Sequence, residues 1–520
     1  MRRLFLYVFM AFAVVSCGDD SPYKAGPEIG AKAPKDLSLS ASALNVNPYG
    51  GSYDITVTAP AQPKAGSVPS WITVTEGTYK NYRTTFTLTV AVNEAQTERS
   101  AQVEFSCKGA SAQKLSVVQE GKVVVEEAVM PSSGARAVSE ALGLGWNMGN
   151  HFDAYYNYNG AGSNYNYPSE TVWGNAAATP ATFQGVRKAG FKSVRIPVTW
   201  LNTIGPAPDY KIEETWLNRV YEVVQYAHDA GLFVIINTHH DENHGDDHWL
   251  DIKNAANDSA LNTQIKAKIT GFWTNLANKF KDCGDWLIME GFNELNDGGW
   301  GWSAEFRANP SKQCGILNEW NQAFVSAVRA TGGNNATRWL GVPTYAANPD
   351  FEQYVTMPTD PAGKTMLSVH FYNPSDYTIG DKQYQQFGHT GASGKKDGYQ
   401  EADIKKCFNN LYTKYVAKDI PVYVGEFGCS LRNKGDNIGW AFYLYYLEYV
   451  VKAARDYGLS CLLWDNGAEG YGKEHHAYIN HGTGEIIGDA AEPIAAMIKA
   501  RYTDDAAYTL DSVYNSAPKF

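Results

Sequence analysis

Two hydrophobic patterns divide this chain into an early and a late region. Between about residues 36 and 119, short runs alternate apolar side chains with Thr, Ser or charged ones, and this period of two predicts strands with one buried face. From about residue 142, continuous apolar runs alternate instead with stretches whose apolar residues recur at helical spacing. The change in period predicts a small all-β domain followed by a larger α/β domain.

The early region predicts an antiparallel β-sandwich of the immunoglobulin type, because turn residues separate its alternating runs. The clearest runs are Tyr53–Thr58, Thr84–Val92, Ser100–Ser106 and Lys114–Gln119. The region also resembles a BACON module in the segments Trp71-Ile-Thr-Val-Thr75, Val92-Asn93, Glu98-Arg99-Ser100-Ala101 and Val118-Gln119-Glu120-Gly121. Such modules are often attached to carbohydrate enzymes. The resemblance implies either a glycan-binding domain or a spacer that lifts a catalytic domain off a membrane, and we favour the spacer.

The late region contains eight strand-like segments separated by amphipathic helical stretches. The stretch from Ile212 to Ala230 carries its apolar residues at helical spacing and is followed by Gly231, a residue type that commonly ends helices. Eight such units predict an α/β fold of the (β/α)8 TIM-barrel type. A doubly wound sheet is the alternative, but no G-x-G-x-x-G motif follows the first strand. The segments are Leu144–Asn150, Ser193–Val198, Leu232–His239, Trp286–Glu294, Arg338–Pro343, Met366–Tyr372, Pro421–Phe427 and Cys461–Asp465.

Two glutamates are the most informative residues of the late region. Glu294 and Glu426 each lie at the end of a predicted buried strand and precede Gly-rich or polar loop residues. The chemistry of a TIM barrel collects at the C-terminal ends of its strands, and a Glu in an apolar run is costly unless it has a partner or a function. Paired carboxyl groups in this position are what glycoside hydrolysis requires, one as acid/base and the other as nucleophile or base.

Further polar residues follow the predicted strands at the same end of the barrel. They lie in the motifs Gly145-Trp-Asn-Met-Gly-Asn150, Arg195-Ile-Pro-Val198, Thr238-His-His-Asp241, Glu290-Gly-Phe-Asn-Glu294, Val369-His-Phe-Tyr372, Gly425-Glu-Phe-Gly428 and Trp464-Asp-Asn-Gly467. Together, over about residues 140–500, these motifs resemble glycoside hydrolase family 5, and most of all its subfamily 4 of endo-β-glucanases. The resemblance implies a retaining enzyme with its acid/base after strand 4 and its nucleophile after strand 7.

The resemblance also implies a role for each matching residue. Glu294 would protonate the glycosidic oxygen and then activate water, while Glu426 would attack the anomeric carbon. The substrate-binding residues would be Asn150, Arg195, His239, His240, Asn293, His370, Tyr372 and Trp464, with either His239 or His240 as the active-site histidine.

Chemistry suggests how some of these residues would act. Arg195 would keep Glu426 ionised, Tyr372 would hydrogen-bond the same carboxylate, and His370 would orient the two carboxyl groups. Asn293 would bind the sugar 2-hydroxyl, and Trp464 would form the floor of the sugar subsite. Taken singly, Arg195 could be a structural ion pair, His370 a buried histidine and Trp464 a core residue, but their coincidence at one end of the barrel favours the site.

The segment from His239 to Trp249 offers an alternative chemistry. Its residues His240, His244 and His248 have the i, i+4 spacing of a zinc site, which would suit a TIM-barrel metallohydrolase. Asn and Gly residues in the segment disfavour a helix, and the H-E-x-x-H motif is absent. We therefore expect a loop that hydrogen-bonds sugar hydroxyls, and neither a metal ion nor another cofactor.

Aromatic residues cluster in the loops that follow the predicted strands. Sugar rings stack on aromatic side chains, so these loops predict an extended cleft, and a cleft implies internal cleavage of a polymer. Self-packing of the first loop is the alternative. The aromatic segments are Tyr155–Gly160, Asn164–Tyr167, Trp173, Trp249, Trp300 and Trp302.

The N-terminus predicts export and anchoring. A basic Met1-Arg2-Arg3 precedes an apolar run that is too short to span a bilayer, which predicts a signal peptide. The run ends in Val14-Val15-Ser16-Cys17, which resembles a bacterial lipobox and implies lipidation of Cys17; simple secretion is the alternative. The predicted organisation is signal peptide 1–16, tether 17–35, β-sandwich 36–121, linker 122–137 and barrel 138–520.

Composition narrows the remaining possibilities. The net charge of −11 argues against a nucleic-acid partner. Besides Cys17, six irregularly spaced cysteines argue against a disulfide scaffold, although one or two disulfides and isolated thiols both remain open.

We therefore expect a monomeric retaining endo-β-1,4-glucanase that acts on a plant cell-wall β-glucan, with xyloglucan favoured. It would be lipid-anchored to the outer membrane at the bacterial cell surface or in the periplasm, with no other membrane contact. Cellulose and mixed-linkage β-glucan are alternative substrates. A non-catalytic glycan-binding surface lipoprotein is the alternative from a different class.

Overall fold

The computed structural model describes residues 33–46, 48, 50–121, 128–160, 163–242, 248–380, 384–391 and 400–519, with backbone alone at 157–160 and 163–166. The predicted signal peptide, Cys17 and His244 lie outside the described residues. The chain divides into two compact units, Met1–Lys122 and Val123–Phe520. Within the described residues, no helix is long and apolar enough to cross a bilayer.

The first unit is a β-sandwich, as the alternating pattern predicted. Its two four-stranded sheets have the orders β1-β3-β6-β5 and β2-β8-β7-β4. Inward-facing residues of both sheets form the core, where the rings of Phe86 and Phe105 lie 5.0 Å apart. The strands are β1 Ser38–Leu39, β2 Ala43–Val46, β3 Gly51–Thr58, β4 Lys64–Ala65, β5 Ile72–Glu76, β6 Arg83–Val90, β7 Arg99–Ser106 and β8 Gln113–Gln119.

The second unit is a closed barrel of eight parallel strands, which confirms the predicted (β/α)8 fold. Its strands are buried on both faces, which is why they are continuous apolar runs rather than alternating ones. They are β9 Leu144–Met148, β12 Ser193–Ile196, β13 Phe233–Ile236, β14 Leu287–Glu290, β15 Leu340–Pro343, β16 Thr365–Phe371, β17 Val422–Phe427 and β18 Ser460–Asp465.

Helices surround this barrel and end where the sequence places glycine. Gly190, Gly231 and Gly458 have φ values of +103°, +76° and +76°, a conformation that glycine adopts without steric cost. The α-helices are α1 Ala135–Leu142, α2 Pro180–Lys188, α3 Glu214–Asp229, α4 Ile252–Ala255, α5 Ser259–Lys279, α6 Ala304–Ala308, α7 Pro310–Ala330, α8 Ser375–Thr378, α9 Glu401–Lys414, α10 Asn437–Asp456, α11 Ala491–Tyr502 and α12 Leu510–Asn515. Short 3₁₀ helices span Leu201–Thr203, Gly333–Ala336, Tyr345–Ala347, Pro349–Tyr354 and Val416–Lys418.

Three details differ from the sequence-based expectation. The aromatic loop after the first barrel strand contains an antiparallel hairpin, β10 Tyr155–Gly160 with β11 Ser163–Pro168. Trp249, expected to line the cleft, is only 9% exposed and donates its Nε1–H to Asp241 Oδ1 at 2.8 Å, so that expectation is wrong. The ladder of β14 ends at Glu290, and Glu294 therefore lies in the following loop.

The structure distinguishes between disulfides and isolated thiols for the cysteines that it describes. All six described cysteines are free thiols, so no disulfide links any of them to another. Four are buried and two are half-buried, as expected of small apolar core residues.

Candidate active site

One arginine at the centre of the barrel connects residues from several strands. Arg195 in β12 is fully buried, and its Nη1 and Nη2 donate at 2.7 Å to Glu426 Oε1 and Asn293 Oδ1. Its Nη1 also donates to Asn147 Oδ1 at 3.1 Å, and its Nε donates to Glu290 Oε2 at 2.7 Å. Burial alone would lower the pKa of Arg195, but Glu290 and Glu426 raise it. The guanidinium is therefore a permanent charge beside Glu426.

Glu426 lies within β17 and has two hydrogen-bond donors. Arg195 contacts one carboxylate oxygen, and the hydroxyl of Tyr372 donates to the other at 3.0 Å. Burial raises the pKa of Glu426, an effect that His370 and Arg195 oppose. Burial and Glu426 hold the pKa of Tyr372 well above its usual range, so this hydroxyl stays a neutral donor. Both donors favour the ionised carboxylate that a nucleophile must be.

Glu294 has different surroundings. Its Oε1 lies 2.6 Å from Nδ1 of His370, with which it shares a hydrogen bond. Burial and the charge of Glu242 raise the pKa of Glu294 to about 8, whereas burial lowers the pKa of His370 to about 4. At neutral pH this carboxyl group therefore holds a proton beside a neutral imidazole, which suits a general acid.

The two carboxyl groups are close together. One oxygen of Glu294, one oxygen of Glu426 and a ring nitrogen of His370 all lie within 4.8 Å of one another. Retaining glycosidases separate their carboxyl groups by about 5–5.5 Å, whereas inverting enzymes need about 6.5–9.5 Å to admit a water molecule. The spacing therefore suits direct attack on a sugar carbon.

A local irregularity in the barrel aligns these groups. The register of the β16–β17 ladder shifts after Val369, and the shift places His370 opposite Glu426. Gly425 makes the close approach possible, because a Cβ there would lie 3.2 Å from both His370 Nε2 and Ser368 Oγ. The Gly-Glu pair of the sequence motif thus has a packing reason as well as a chemical one.

Trp464 lies at the end of β18 and is partly exposed. Its indole covers Gly149, where a Cβ would come within 2.6 Å of Cζ2, so no larger residue fits beneath the ring. The imidazole of His239 is parallel to it within 6°, with ring centroids 6.1 Å apart. Burial and the charge of His240 hold the pKa of His239 well below its usual range, so this ring is neutral.

A cavity of about 580 Å³ opens above the carboxyl groups. It collects side chains from the loops after β14 to β18, and two of the predicted aromatic residues stand at its edge. Trp300 and Trp302 are 47% and 76% exposed. Lining residues are Glu294, Trp300, Trp302, Ala346, Asn348, Pro349, Asp350, His370, Tyr372, Asn373, Ser375, Ile379, Glu426, Trp464, Glu474 and His476.

His240 belongs to a separate polar group beside the aromatic hairpin. Its Nε2 lies 3.8 Å from Asp153 Oδ2 and its Nδ1 lies 3.7 Å from Glu242 Oε1, while Tyr155 and Trp173 pack around its ring. Burial would lower the pKa of His240, but Glu242 and Asp153 raise it to about 9.

This charge bears on the metal alternative. Asp153, His239 and His240 each offer an atom within 4.8 Å of the other two. The pKa of about 9 makes His240 an imidazolium at neutral pH, so a metal ion would have to displace its proton to bind there. Of the three histidines in the predicted metal motif, His244 lies outside the described residues.

Asn150 holds the loop after β9 through its backbone. Its N–H donates to Asp153 Oδ2 at 3.1 Å, and its carbonyl accepts from Asn175 Nδ2 at 2.9 Å. The barrel thus brings Arg195, Asn293, Glu294, His370, Tyr372, Glu426 and Trp464 to one centre, with His239 adjoining it and Asn150 and His240 beyond.

Sequence reasoning missed the carboxylate beneath this centre. Glu290 is fully buried in β14 and accepts hydrogen bonds from Arg195, Asn237, Ser368 and Tyr423. The available signal was a Glu inside the apolar run Leu287-Ile-Met-Glu290. Its four partners are far apart in sequence, so the run alone could not identify them.

Known families and proteins resemble both units of the chain. Residues 156–470 match the cellulase family, glycosyl hydrolase family 5, and residues 50–120 match the BACON family. The xyloglucan-specific endo-β-1,4-glucanase of Bacteroides ovatus is 32% identical over 490 residues, which cover 90% of this chain and 91% of that protein.

Two solved structures extend this similarity. A GH5-4 broad specificity endoglucanase from Bacteroides salanitronis is 46% identical, with a TM-score of 0.68 over 73% of this chain and 98% of that one. A GH5 xyloglucanase from Bacteroides ovatus in complex with a XXXG heptasaccharide is 28% identical, with a TM-score of 0.60 over 89% of this chain and 99% of that one.

Proposed function

The chain belongs to glycosyl hydrolase family 5 and carries a BACON domain, as its motifs predicted, and on this premise we propose that it is a retaining endo-β-1,4-glucanase. The observation that carries the proposal is the pair of carboxyl groups with opposite surroundings. Glu294 is protonated at neutral pH beside His370, whereas Glu426 has two donors that favour its ionised form.

Two displacement steps follow from this geometry. Glu426 attacks the anomeric carbon while Glu294 gives its proton to the departing glycosidic oxygen, so that a glycosyl-enzyme ester forms as the C–O bond breaks. The ionised Glu294 then takes a proton from water, and the resulting hydroxide displaces Glu426. Esterification removes the negative charge of Glu426, which makes the ionisation of Glu294 easier between the steps.

The other residues bind and orient the sugar. Asn293, fixed by Arg195 Nη2, presents its amide to the sugar 2-hydroxyl, where hydrogen bonds strengthen in the transition state. Trp464 supports the sugar ring in the subsite at the reacting carbon, and Trp300 and Trp302 offer stacking surfaces farther along. We propose that His239, which is parallel to the Trp464 indole, and His240, whose charge acts on Glu294, contact sugar hydroxyls on the side of β13.

We propose xyloglucan as the preferred substrate. The similarity to the Bacteroides ovatus xyloglucan-specific enzyme extends over both units of this chain. The Bacteroides salanitronis relative is a broad specificity endoglucanase, which supports the alternative of unbranched β-glucans.

Product release from four polysaccharides tests these proposals. The purified protein is incubated with xyloglucan, carboxymethylcellulose, mixed-linkage glucan and galactomannan, with the Glu426→Ala variant as the inactive control. Preferential release of oligosaccharides from xyloglucan supports the full proposal, and preference for an unbranched glucan replaces the substrate alone. Binding of these polymers without any hydrolysis would favour the non-catalytic glycan-binding protein.

We also propose that a lipid on Cys17 anchors the enzyme at the outer membrane, with the BACON domain as a spacer. The lipobox-like segment supports the anchor, and several acyl chains would make it stable. A Cys17→Ala variant that stays in the membrane fraction would contradict it. Deleting residues 36–121 should leave activity on soluble polymer intact, and a large loss would count against the spacer.

A further inference from the structure

Glu290 is a buried carboxylate that accepts hydrogen bonds from three strands of the barrel and from the residue after a fourth. Its Oε2 accepts from Arg195 Nε at 2.7 Å and from Asn237 Nδ2 at 3.0 Å. Its Oε1 accepts from Ser368 Oγ at 2.6 Å and from Tyr423 OH at 2.9 Å. The donors come from β12, the residue after β13, β16 and β17. Four donors to one carboxylate stabilise a charge that would otherwise be costly to bury.

The surrounding backbone is shaped for this contact. Gly341 in β15 is the register partner of Glu290, and a Cβ at that position would come within 2.1 Å of the Tyr423 hydroxyl. Any side chain there would displace Tyr423 from Glu290. The burial of Glu290 would raise its pKa, but Arg195, His370 and the Ser368 hydrogen bond lower it, so the group is ionised at neutral pH.

The hydrogen bond from Arg195 Nε to Glu290 bears on the orientation of the whole guanidinium. A guanidinium is planar, so fixing Nε and the direction of its N–H bond also sets the directions of the two terminal nitrogens. Those nitrogens contact Glu426 and Asn293, each at 2.7 Å. Glu290 itself is fully buried and is not among the residues that line the cavity, so it meets no substrate.

We propose that Glu290 is a positioning residue that anchors the guanidinium of Arg195, so that one side chain holds both the nucleophile Glu426 and the 2-hydroxyl ligand Asn293. The proposal rests on the proposed double displacement. It predicts that loss of the anchor changes how readily Glu426 ionises, whereas a merely structural ion pair would change stability alone.

Several other groups face Arg195 and Glu426 and stay constant in the test. They come from every element packed against the pair. The titratable ones are His239 after β13, Glu294 after β14, His370 in β16, Tyr372 after β16, and Tyr423 in β17. A substitution at Glu290 therefore changes the pKa of Glu426, and with it the acid limb of the pH profile, by two routes. Displacement of Arg195 raises that pKa, whereas loss of the negative charge of Glu290 lowers it.

Two substitutions separate these routes. Glu290→Ala removes the anchor, so Glu426 loses a well-placed cation and the acid limb of kcat/KM moves to higher pH. Glu290→Gln keeps an oxygen for Arg195 Nε, and the hydroxyls of Ser368 and Tyr423 can rotate to accept from its amide. Because Gln also removes a negative charge, its acid limb stays in place or moves to lower pH.

The experiment measures kcat, KM and the pH profile on the best polysaccharide of the panel, together with Tm. We expect kcat of Glu290→Ala to fall about 10- to 100-fold with little change in KM, and Glu290→Gln to recover most of it. Glu401→Ala is the matched control, because Glu401 is also a buried carboxylate with several donors, at the start of α9 and outside the cavity. It should lower Tm and leave the profile unchanged.

Milder variants cover the case in which Glu290→Ala does not fold. Tyr423→Phe and Ser368→Ala each remove one donor to Glu290. Each should move the acid limb of kcat/KM slightly to higher pH and lower kcat about two- to tenfold. An unchanged pH profile in every folded variant at these three positions would overturn the proposal. Failure of the proposed function is distinguishable, because the wild type would then hydrolyse no glucan or Glu426→Ala would remain active.

Discussion

The ends of strands β14 and β17 carry the same side chain in opposite surroundings. At the end of β17, Glu426 is still part of the strand ladder and receives hydrogen bonds from Arg195 and Tyr372. Beyond the end of β14, Glu294 lies in a loop and shares a hydrogen bond with His370. Burial, together with the charge of Glu242, raises its pKa to about 8.

The difference shows how one residue type performs two roles. Burial raises the pKa of both carboxyl groups, but His370 and Arg195 oppose the rise at Glu426, whereas the charge of Glu242 adds to it at Glu294. Position in the barrel matters as well. The proposed nucleophile, Glu426, lies within a strand, whereas the proposed acid/base, Glu294, lies on a loop that lines the cavity.

Removing Glu426 should have the largest effect. We expect Glu426→Ala to lower kcat by about 10⁴-fold or more, because no other described side chain is placed to attack the sugar. With an activated aryl β-glycoside and added azide, the variant should yield a glycosyl azide of inverted configuration, identified by NMR. Substantial hydrolysis by the variant without azide would contradict the assignment.

Removing Glu294 should have a large effect that depends on the leaving group. Glu294→Ala should lower kcat on polysaccharide by about 10²- to 10⁴-fold, the usual contribution of a general acid. A dinitrophenyl leaving group needs no proton, so formation of the glycosyl-enzyme from such a substrate should be nearly unaffected. Azide should then give a glycosyl azide of retained configuration, and equal losses on both substrates would argue against the acid role.

The pH profile should report the acid of the pair. Since the pKa of Glu294 is about 8, kcat/KM should decline above about pH 8 as the group loses its proton. His240 is positively charged there and lowers the pKa of Glu294, so His240→Gln should move the basic limb to higher pH. His228→Gln, which alters a half-buried histidine stacked on Trp286, is the control. If the basic limb stays in place in His240→Gln, the charge of His240 does not influence the pKa of Glu294.

The raised pKa of Glu294 should also affect the pH dependence of the free energy of unfolding, with a smaller effect than on activity. Between pH 4.5 and about 8 the folded protein keeps a proton on Glu294 that the unfolded chain releases, so this group makes the free energy of unfolding fall as pH rises. Glu294→Gln should remove that slope and stabilise the protein at pH 7 by on the order of 2 kcal/mol. Urea unfolding at pH 4.5 and pH 7.5 measures both values. A variant that is less stable than the wild type at both pH values would contradict this assignment.

A chelator should have no effect. A metal ion bridging Glu294, His370 and Glu426 would make the two carboxyl groups equivalent and abolish the contrast between them. We expect activity in the presence of excess EDTA to equal that of the untreated enzyme, since the proposed mechanism uses carboxyl groups and water alone. Loss of activity that added Zn²⁺ restores would revive the metallohydrolase alternative.

Much of this architecture follows from local sequence patterns. The alternating early region became a sandwich and the apolar late segments became barrel strands, because side-chain period reports which faces of a strand are buried. Gly190, Gly231 and Gly458 marked helix ends through a backbone conformation that other residues avoid. The position of Glu426 at a strand end was local information of the same kind.

Other features depended on contacts that a sequence run does not contain. Trp249 was expected to line the cleft because it is an aromatic residue on a loop after a barrel strand. It is buried instead, because Asp241 accepts its indole N–H and Phe272 packs beside it. The raised pKa of His240 depends on Glu242 and Asp153, which lie beside it only in the folded chain. Each outcome was decided by neighbours whose distance could not be inferred from spacing alone.

The sequence by itself determined the barrel, the sandwich and the two glutamates that mark the site, since each depends on the period or the strand position of nearby residues. Only the tertiary structure decided which glutamate is protonated and which side chains hold Arg195. Those properties arise where barrel closure brings Glu290, Glu426 and Arg195 within hydrogen-bonding distance from separate strands. A pKa is a sum over such spatial neighbours, and strand order along the chain does not contain that sum.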